Sequence, residues 1–439
     1  MSELERIAEA AYIYLYPLVL MDETRRQQCT AFNTWFHSRK YPPGHFKLII
    51  RPNFDTLYSI AWLDLTTGPV VIHTPDTNGR YYCMHMMDMW TDSFAVPGSR
   101  TWGTKANSCV VVGPHHPASA ITQQQQRHVI RSPTSYVWII TRIQTNGQAD
   151  YAAVHKLQNG FQIVGLDGES KRTGVVPNIN REERKTPPFS KVKHMTPKDF
   201  FDKALQLLAF FPPHQTDSSI VFQLERLGMM SGQYDQFSYD ALPSRVQNAL
   251  THGATNGVHK MRKYAKEMSA RNVQNGWEMA LEGIGVYGNN YFRRAAVAAG
   301  GLGAVPAEDA VYSSLVHALS SDHRYEMQIK ESDLPPCDAF WSITLYDSQG
   351  YPVPNQWDKY ALNNRHGLVF EQDGSIVLHF QQHSPGKERE KNWLPTPGGN
   401  GGRFTLTGRY YAPRRELLAG KWKPPEVVKV GCERGSSKM

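Results

Sequence analysis

The stretch Arg51-Pro-Asn53-Phe-Asp55-Thr-Leu-Tyr58 sets a guanidinium, an amide and a carboxyl at alternate positions. In an extended chain alternate residues project to one side, so the three would line up while Pro52, Phe54 and Thr56 face the other way. A guanidinium and an amide can fix a carboxylate or carbonyl, and a carboxyl beside them can move a proton. An Arg/Asp ion pair with an Asn turn cap at a domain seam would use the same residue types for structure alone. A second polar knot is Met84-His-Met-Met-Asp88-Met-Trp90-Thr-Asp92. Alternation puts Met84, Met86, Asp88, Trp90 and Asp92 on one side, where an acid among Met and Trp loses solvation and becomes a candidate general acid or base. The structural alternative is that Asp88 caps a turn entering Thr91.

Other motifs carry less. Gly283-Ile-Gly285-Val-Tyr-Gly288 has the G-x-G-x-x-G form, but that fingerprint needs a strand before it, and Val273 to Leu281 reads as helix. The glycines are expected to turn the chain between two helices. HExxH, Walker A and G-x-S-x-G sequences are absent. His379 and His383 lie four apart in a strand-like segment and are expected on a shared solvent face, and His115-His116 sits in a loop before Pro117. No cofactor is evident and no metal ligands are assigned. A divalent metal stays open, because Asp and His scattered along a chain can meet in space.

These residues need elements to hold them. Ser2 and Glu5 form a capping box ahead of a dense apolar run, predicting a helix from Ser2 to about Gln28 that is interrupted near Pro17. From Lys47 to Leu166 the runs Leu57–Leu65, Val70–Thr74, Tyr81–Met87, Cys109–Val112 and Tyr136–Ile143 predict closely spaced antiparallel strands. Asn78-Gly79 and Asn146-Gly147 mark tight turns. Residues 168–196 read as an exposed basic linker. Helical patterns follow at 196–210, 216–230, 241–266 and 270–281. A second β-rich region is expected from Leu334, with strands at 339–346, 368–370, 375–381 and 404–411 and a turn at Gln372-Asp-Gly374.

The chain has 439 residues, too many for one ordinary core, with 40% hydrophobic and 20% charged residues. Its formal charge of +8 is scattered, and the densest basic run, 181–198, is broken by acids and prolines, which argues against a nucleic-acid stripe. Five distant cysteines suit a reducing compartment better than a disulfide framework. No basic leader, N-x-S/T sequon or spanning apolar run is present, so a soluble cytoplasmic protein with no membrane partner is expected.

The segments Glu9–Met21, Arg51–Ser59, Pro75–Tyr81, Asp88–Asp92 and Arg131–Pro133 resemble a DUF1254 domain. Asn290–Ala295, Leu334–Ser342, Leu345–Asp347 and Asp373–Ser375 resemble the DUF1214 domain that usually follows it. The resemblance implies two antiparallel, jelly-roll-like β-sandwiches with an N-terminal helix and a helical segment between them. That divides the chain into 1–170, a basic and helical 171–285, a second sandwich at 286–426 and a flexible tail at 427–439. Many relatives look exported, and this sequence departs from the usual pattern at Phe54, where a polar residue is more typical.

The leading functional expectation is an enzyme, a hydrolase or lyase, acting on a small organic molecule in a cleft between the sandwiches. Arg51 and Asn53 would orient the substrate, Asp55 or Asp88 would handle a proton, and Tyr58, Tyr81, Trp90 and Arg142 would form the walls. A non-catalytic sugar or peptide binder, a jelly-roll assembly protein and a metal-dependent hydrolase or lyase are the alternatives. A homo-oligomer is compatible with each.

Overall fold

The computed structural model describes residues 1–47, 49–117, 128–169, 183–271, 273–399 and 401–433. Helix α1 (Glu3–Gln28) opens with the expected capping box, the Ser2 hydroxyl accepting from the Glu5 N–H at 3.2 Å and the Glu5 carboxylate from the Ser2 N–H at 2.7 Å. The predicted interruption is not there: α1 runs straight through Pro17. An internal proline costs a helix about 3 kcal/mol. Ile13, Tyr14, Leu15, Leu18 and Val19 are all fully buried around it, and each such side chain returns about 1.5–3 kcal/mol on leaving water.

The chain then forms β1 (Phe36–His37), β2 (Thr56–Asp64), β3 (Val70–Thr74), β4 (Tyr82–Met87), β5 (Ser93–Ala95), α2 (Ser99–Trp102), β6 (Asn107–Val112), β7 (Val129–Arg131), β8 (Tyr136–Gln144), α3 (Tyr151–Gly160) and β9 (Gln162–Gly165). Two sheets result, ordered β1-β2-β8-β4-β5 and β7-β6-β3-β9. Ala61, Leu63, Met84, Met86, Val137 and Ile139 of the first sheet share one core with Val70, Ile72, Cys109 and Val111 of the second. Strand alternation sends the intervening residues to the outer face of the first sheet. There Tyr58, Arg142 and Cys83 form one cross-strand row, Ile60, Ile140 and His85 the next, and Trp62, Trp138 and Met87 the third.

The third row meets a helical layer. Helices α4 (Pro188–His194), α5 (Pro197–Phe210), α6 (Ser218–Glu225) and α7 (Ser244–Arg271) surround α1, and their apolar sides join Trp62, Trp138 and Met87 in one large core. Of the predicted linker 168–196, residues 170–182 lie outside the described residues, and α4 packs Val192 into this core rather than standing free. No helix among the described residues is long and apolar enough to cross a membrane.

The second half begins earlier than predicted. The segment read as helix at 270–281 is the end of α7 followed by a hairpin, β10 (Val273–Gln274) and β11 (Trp277–Met279), because Asn275 and Gly276 both take positive φ and reverse the chain. After α8 (Tyr291–Gly301) come β12 (Ala310–Leu315), β13 (Leu319–Ser320), β14 (His323–Ile329), β15 (Cys337–Asp347), β16 (Ala361–Asn363), β17 (Ile376–Gln381), β18 (Trp393–Pro395), β19 (Arg403–Pro413), α9 (Arg415–Leu418) and β20 (Val428–Cys432). They build the sheets β10-β11-β12-β19-β15-β16, with β13 also on β19, and β18-β17-β14-β20. Residues 368–370 are not a strand, and β20 pairs with β14 inside the predicted tail. The sheets are not purely antiparallel, since β6 with β7 and β17 with β18 run parallel.

Val311, Tyr410, Trp341, Ile343 and Leu406 of the larger sheet face the smaller one across an apolar core. The opposite face is polar. It carries Tyr312, Arg409 and Ser342 in one row, Ser314, Thr407 and Thr344 in the next, and Tyr411 opposite Phe340 in a third. This polar face meets residues 51–58 of the first half.

Candidate functional site

Residues 51–55 do not form the predicted strand, and Arg51, Asn53 and Asp55 do not share a side by alternation. Arg51 has φ +53°, a left-handed conformation that a residue before proline ordinarily avoids. Tertiary contacts hold it there: its N–H donates to the Gly350 carbonyl at 2.7 Å, and its carbonyl accepts from Arg409 Nη2 at 2.9 Å. The exposed Arg51 guanidinium donates to Ser314 Oγ at 2.7 Å. Asn53 Oδ1 caps the turn, accepting from the Asp55 and Thr56 N–H groups at 2.6 and 3.2 Å. Asp55 is fully buried and saturated, with Ser342 Oγ donating at 2.6 Å and Arg365 Nη2 at 3.1 Å. The carboxylate is thus an anchor between the two halves, and its ion-pair partner is Arg365 rather than Arg51.

Asn53 also reaches outward. Its Nδ2 donates to the hydroxyls of Tyr58 at 3.2 Å and Tyr411 at 2.9 Å, joining the two sandwiches. Arg142 lies over Tyr58 with its guanidinium carbon 5.4 Å from the ring centroid, and its Nη2 donates to the Gly303 carbonyl at 2.7 Å. Tyr81 is buried beside Tyr411, its hydroxyl spent on the Asp309 carbonyl at 3.1 Å. So Asn53, Tyr58, Tyr81 and Arg142 come together at the seam.

Asp88 and Trp90 do not join them. Asp55 lies level with the Thr145 end of β8 and Asp88 just beyond its Trp138 end, a separation of roughly 25 Å at about 3.3 Å per residue. At that far end Asp88, fully buried, divides its two oxygens. Oδ1 accepts from the N–H groups of Trp90 and Asp92, each at 2.9 Å, closing the turn after β4. Oδ2 lies 2.8 Å from His214 Nε2. Trp90 is wholly buried against Tyr14, and its indole N–H donates to the Pro212 carbonyl at 3.1 Å, which fixes the loop carrying His214.

Asp92 completes a cluster with His214. Its Oδ2 is 3.8 Å from His214 Nδ1 and 2.8 Å from Arg294 Nη2, an ion pair without hydrogen-bond alignment, while Oδ1 accepts from the Tyr287 N–H at 3.1 Å. Burial, reinforced by the charge of Asp88 and opposed by Arg294, pushes the Asp92 carboxyl up to about 6. Burial alone would lower His214, but the hydrogen bond to Asp88 and the charges of Asp88 and Asp92 outweigh it and hold the imidazole above its ordinary value. Within this turn Thr91, a β-branched residue, is held at φ +71°. Such strain costs about 1–3 kcal/mol and gathers at functional sites. His214 lines a groove of about 620 Å³ with Leu208, Pro213, Val221, Phe222 and Tyr234. Ligand atoms of Asp88, Asp92 and His214 all lie within 4.8 Å of one another, a spacing that would also suit a divalent cation, although Arg294 already brings a positive charge to Asp92.

His214, Arg294, Arg365 and Tyr411 were not singled out from sequence. His214 falls in the gap between the helical patterns at 196–210 and 216–230, and Arg294 lies inside the Asn290–Ala295 motif. The glycine motif has an unexpected place here: a strand, β11, does precede it and α8 follows, but β11 pairs antiparallel with both described neighbours, so this loop does not sit in a nucleotide-binding βαβ unit. Its loop instead delivers the Tyr287 N–H to Asp92 and the Gly288 carbonyl to Arg294 at 3.1 Å. His379 is buried and 3.1 Å from Glu326, not on a solvent face.

Residues 32–165 match the model of DUF1254 and residues 311–415 that of DUF1214, each described as a protein of unknown function. No curated protein matches the chain. The fold is similar to the crystal structure of the VPA0106 protein from Vibrio parahaemolyticus, with a TM-score of 0.72 at 20% identity over 97% of this chain and 100% of that one. An uncharacterised Burkholderia cenocepacia protein matches at 12% identity and a TM-score of 0.48, over 98% of this chain and 94% of that one. With both domain models matched in order, the chain belongs to the two-domain DUF1254/DUF1214 family.

Proposed function

We propose that the protein is an enzyme that transforms a small organic molecule by general acid–base chemistry at His214, in the groove beside α5 and α6. The observation that carries this reading is the asymmetry of the imidazole. Nε2 is engaged by the buried Asp88, while Nδ1 has no hydrogen bond among the described residues, and the side chain is 22% exposed in the groove. A carboxylate on one ring nitrogen fixes the tautomer and stabilises the imidazolium formed when the other nitrogen takes a proton. The base would act on a water or on a carbon-bound proton of a substrate lying on the apolar wall of Val221 and Phe222, giving hydrolysis or elimination. Asp92, titrating near pH 6, would tune the charge beside that nitrogen.

The test is an untargeted metabolite turnover screen with wild-type protein and His214→Gln. A substrate consumed by the wild type and spared by His214→Gln supports the reading, whereas equal consumption would sink it. Loss of turnover on chelation, restored by a divalent metal, would move the site to the metal-dependent class. Saturable binding without consumption would favour the non-catalytic binder.

A further inference from the structure

Among the described residues, Arg142 is a buried cation whose donors the fold leaves partly unmet. It is 6% exposed, and its Nε and Nη1 have no hydrogen-bond partner. Among the described residues no carboxylate pairs with it. Asp309, the acid that senses its charge, is held by Arg100 through two bonds of 3.0 and 2.8 Å. A buried guanidinium without a counter-ion costs several kcal/mol, so unmet donors there point to a partner from outside the chain.

The walls around it specify that partner. Tyr58, Tyr312, Cys83 and Tyr411 stand close enough to Arg142 that a charge on any of them would act on it. Burial pushes the phenol of Tyr312 up to about 12, and it raises the Tyr411 phenol and the Cys83 thiol as well, so these walls stay neutral. The hydroxyl oxygens of Tyr58 and Tyr411 accept from Asn53, and neither of these hydroxyls nor that of Tyr312 donates to any described residue. Their protons are therefore free to join the guanidinium as donors. Tyr58 and Tyr312 are only half-buried, so a ligand would approach the guanidinium from their side. One fixed positive charge, phenolic donors and flat aromatic walls complement a single negative charge on a planar body.

We propose that Arg142, with Tyr58, Tyr312 and Tyr411, forms a binding site at the seam of the two sandwiches for a small planar monocarboxylate. Because two of the tyrosines come from one sandwich and one domain-bridging amide orients two hydroxyls, an occupied site would also clamp the halves together.

The experiment uses the full chain with benzoate as probe, its neutral analogue benzamide and inorganic phosphate as controls, read by calorimetry and thermal unfolding. Benzoate is expected to bind saturably and raise the unfolding temperature, while benzamide does not. Arg142→Met should weaken benzoate binding about tenfold or more, the scale of a lost charge-assisted hydrogen bond, and should raise the unfolding temperature without ligand. Tyr312→Phe, a milder change that keeps the fold, should weaken benzoate without abolishing it. Failure of benzoate to bind the wild type, or binding that survives both substitutions, would overturn the assignment. So would phosphate binding in place of benzoate. Benzoate binding should persist in His214→Gln, so this site and the proposed catalytic one stand or fall separately.

Discussion

Asp88 Oδ2 and His214 Nε2 meet at 2.8 Å across 126 positions of chain, while the other oxygen of the same carboxylate closes the turn it sits in. One oxygen serves the fold and the other serves the imidazole. Asp88→Asn separates the two roles, because an amide oxygen can still accept from Trp90 and Asp92 but brings no charge to His214. The expected outcome is a folded protein, destabilised by about 1–2 kcal/mol, in which the titration midpoint of His214 falls. A proton-resonance titration of the histidines measures it. An unchanged midpoint would show that Asp88 does not set the charge state of His214.

The same cluster makes stability depend on pH with a defined sign. His214 binds its proton more tightly folded than unfolded, so its contribution is complete below about 6.5, its ordinary value, and is lost as pH rises through the higher folded value. Asp92 is also raised, from 3.8 to about 6, so the folded state binds more protons in that interval and its contribution too is lost as pH rises through it. Wild-type protein should therefore lose its advantage over His214→Gln as pH rises beyond 6.5. Relative to Asp92→Asn it should weaken between pH 4 and about 6 and then level off. Denaturant unfolding across that range checks both, and an advantage over His214→Gln that grows with pH would contradict the assignment.

How far the sequence foretold this depends on the scale of each feature. Strands such as β3 and β8 were legible almost to the residue because each is a run rich in β-branched and aromatic residues bounded by Gly, Pro or Asn turn residues, whereas β10, β11 and β18 are too short to stand out as runs. The turn residues Asn78 and Gly79 do take positive φ, but they carry the chain from one sheet to the other, a choice no local signal records. Asp88 stood out by its surroundings. Its partner His214 did not, because the pair forms only when the helical layer docks on the first sheet. Arg51 misled for the same kind of reason: strand alternation was the local expectation, and contacts from Gly350 and Arg409 override it.

Asp55 tests the difference between an anchor and a base. Asp55→Ala removes the counter-ion of Arg365, which is only 10% exposed and lies over Phe340 at 3.8 Å, and strips Ser342 of its acceptor. Breaking a buried pair by removing one partner costs about 3–5 kcal/mol, so a large drop in unfolding temperature is expected. Turnover per folded molecule should be unchanged once a substrate is known. Near-normal stability with abolished turnover would return Asp55 to the proton-handling role that its sequence context suggested.

The helical layer that carries His214 depends on how closely α7 approaches α1. At Gly253 a Cβ would fall 2.5 Å from the Ala8 carbonyl carbon and 2.6 Å from the Glu9 nitrogen, and at Gly257 it would fall 2.7 Å from the ring of Tyr12. Two effects compete in Gly253→Ala. Alanine in a helix interior gains about 1 kcal/mol over glycine. Forcing a methyl into backbone that cannot yield costs about 1–3 kcal/mol, and a contact this short, against main chain rather than a flexible side chain, belongs at the upper end. The substitution should therefore destabilise the protein by about 1–2 kcal/mol, the difference between those two effects. Gly257→Ala, which meets a tyrosine ring able to shift, should cost less. Thermal unfolding of the two variants decides it, and a Gly253→Ala protein more stable than wild type would mean that α1 and α7 are not packed this closely.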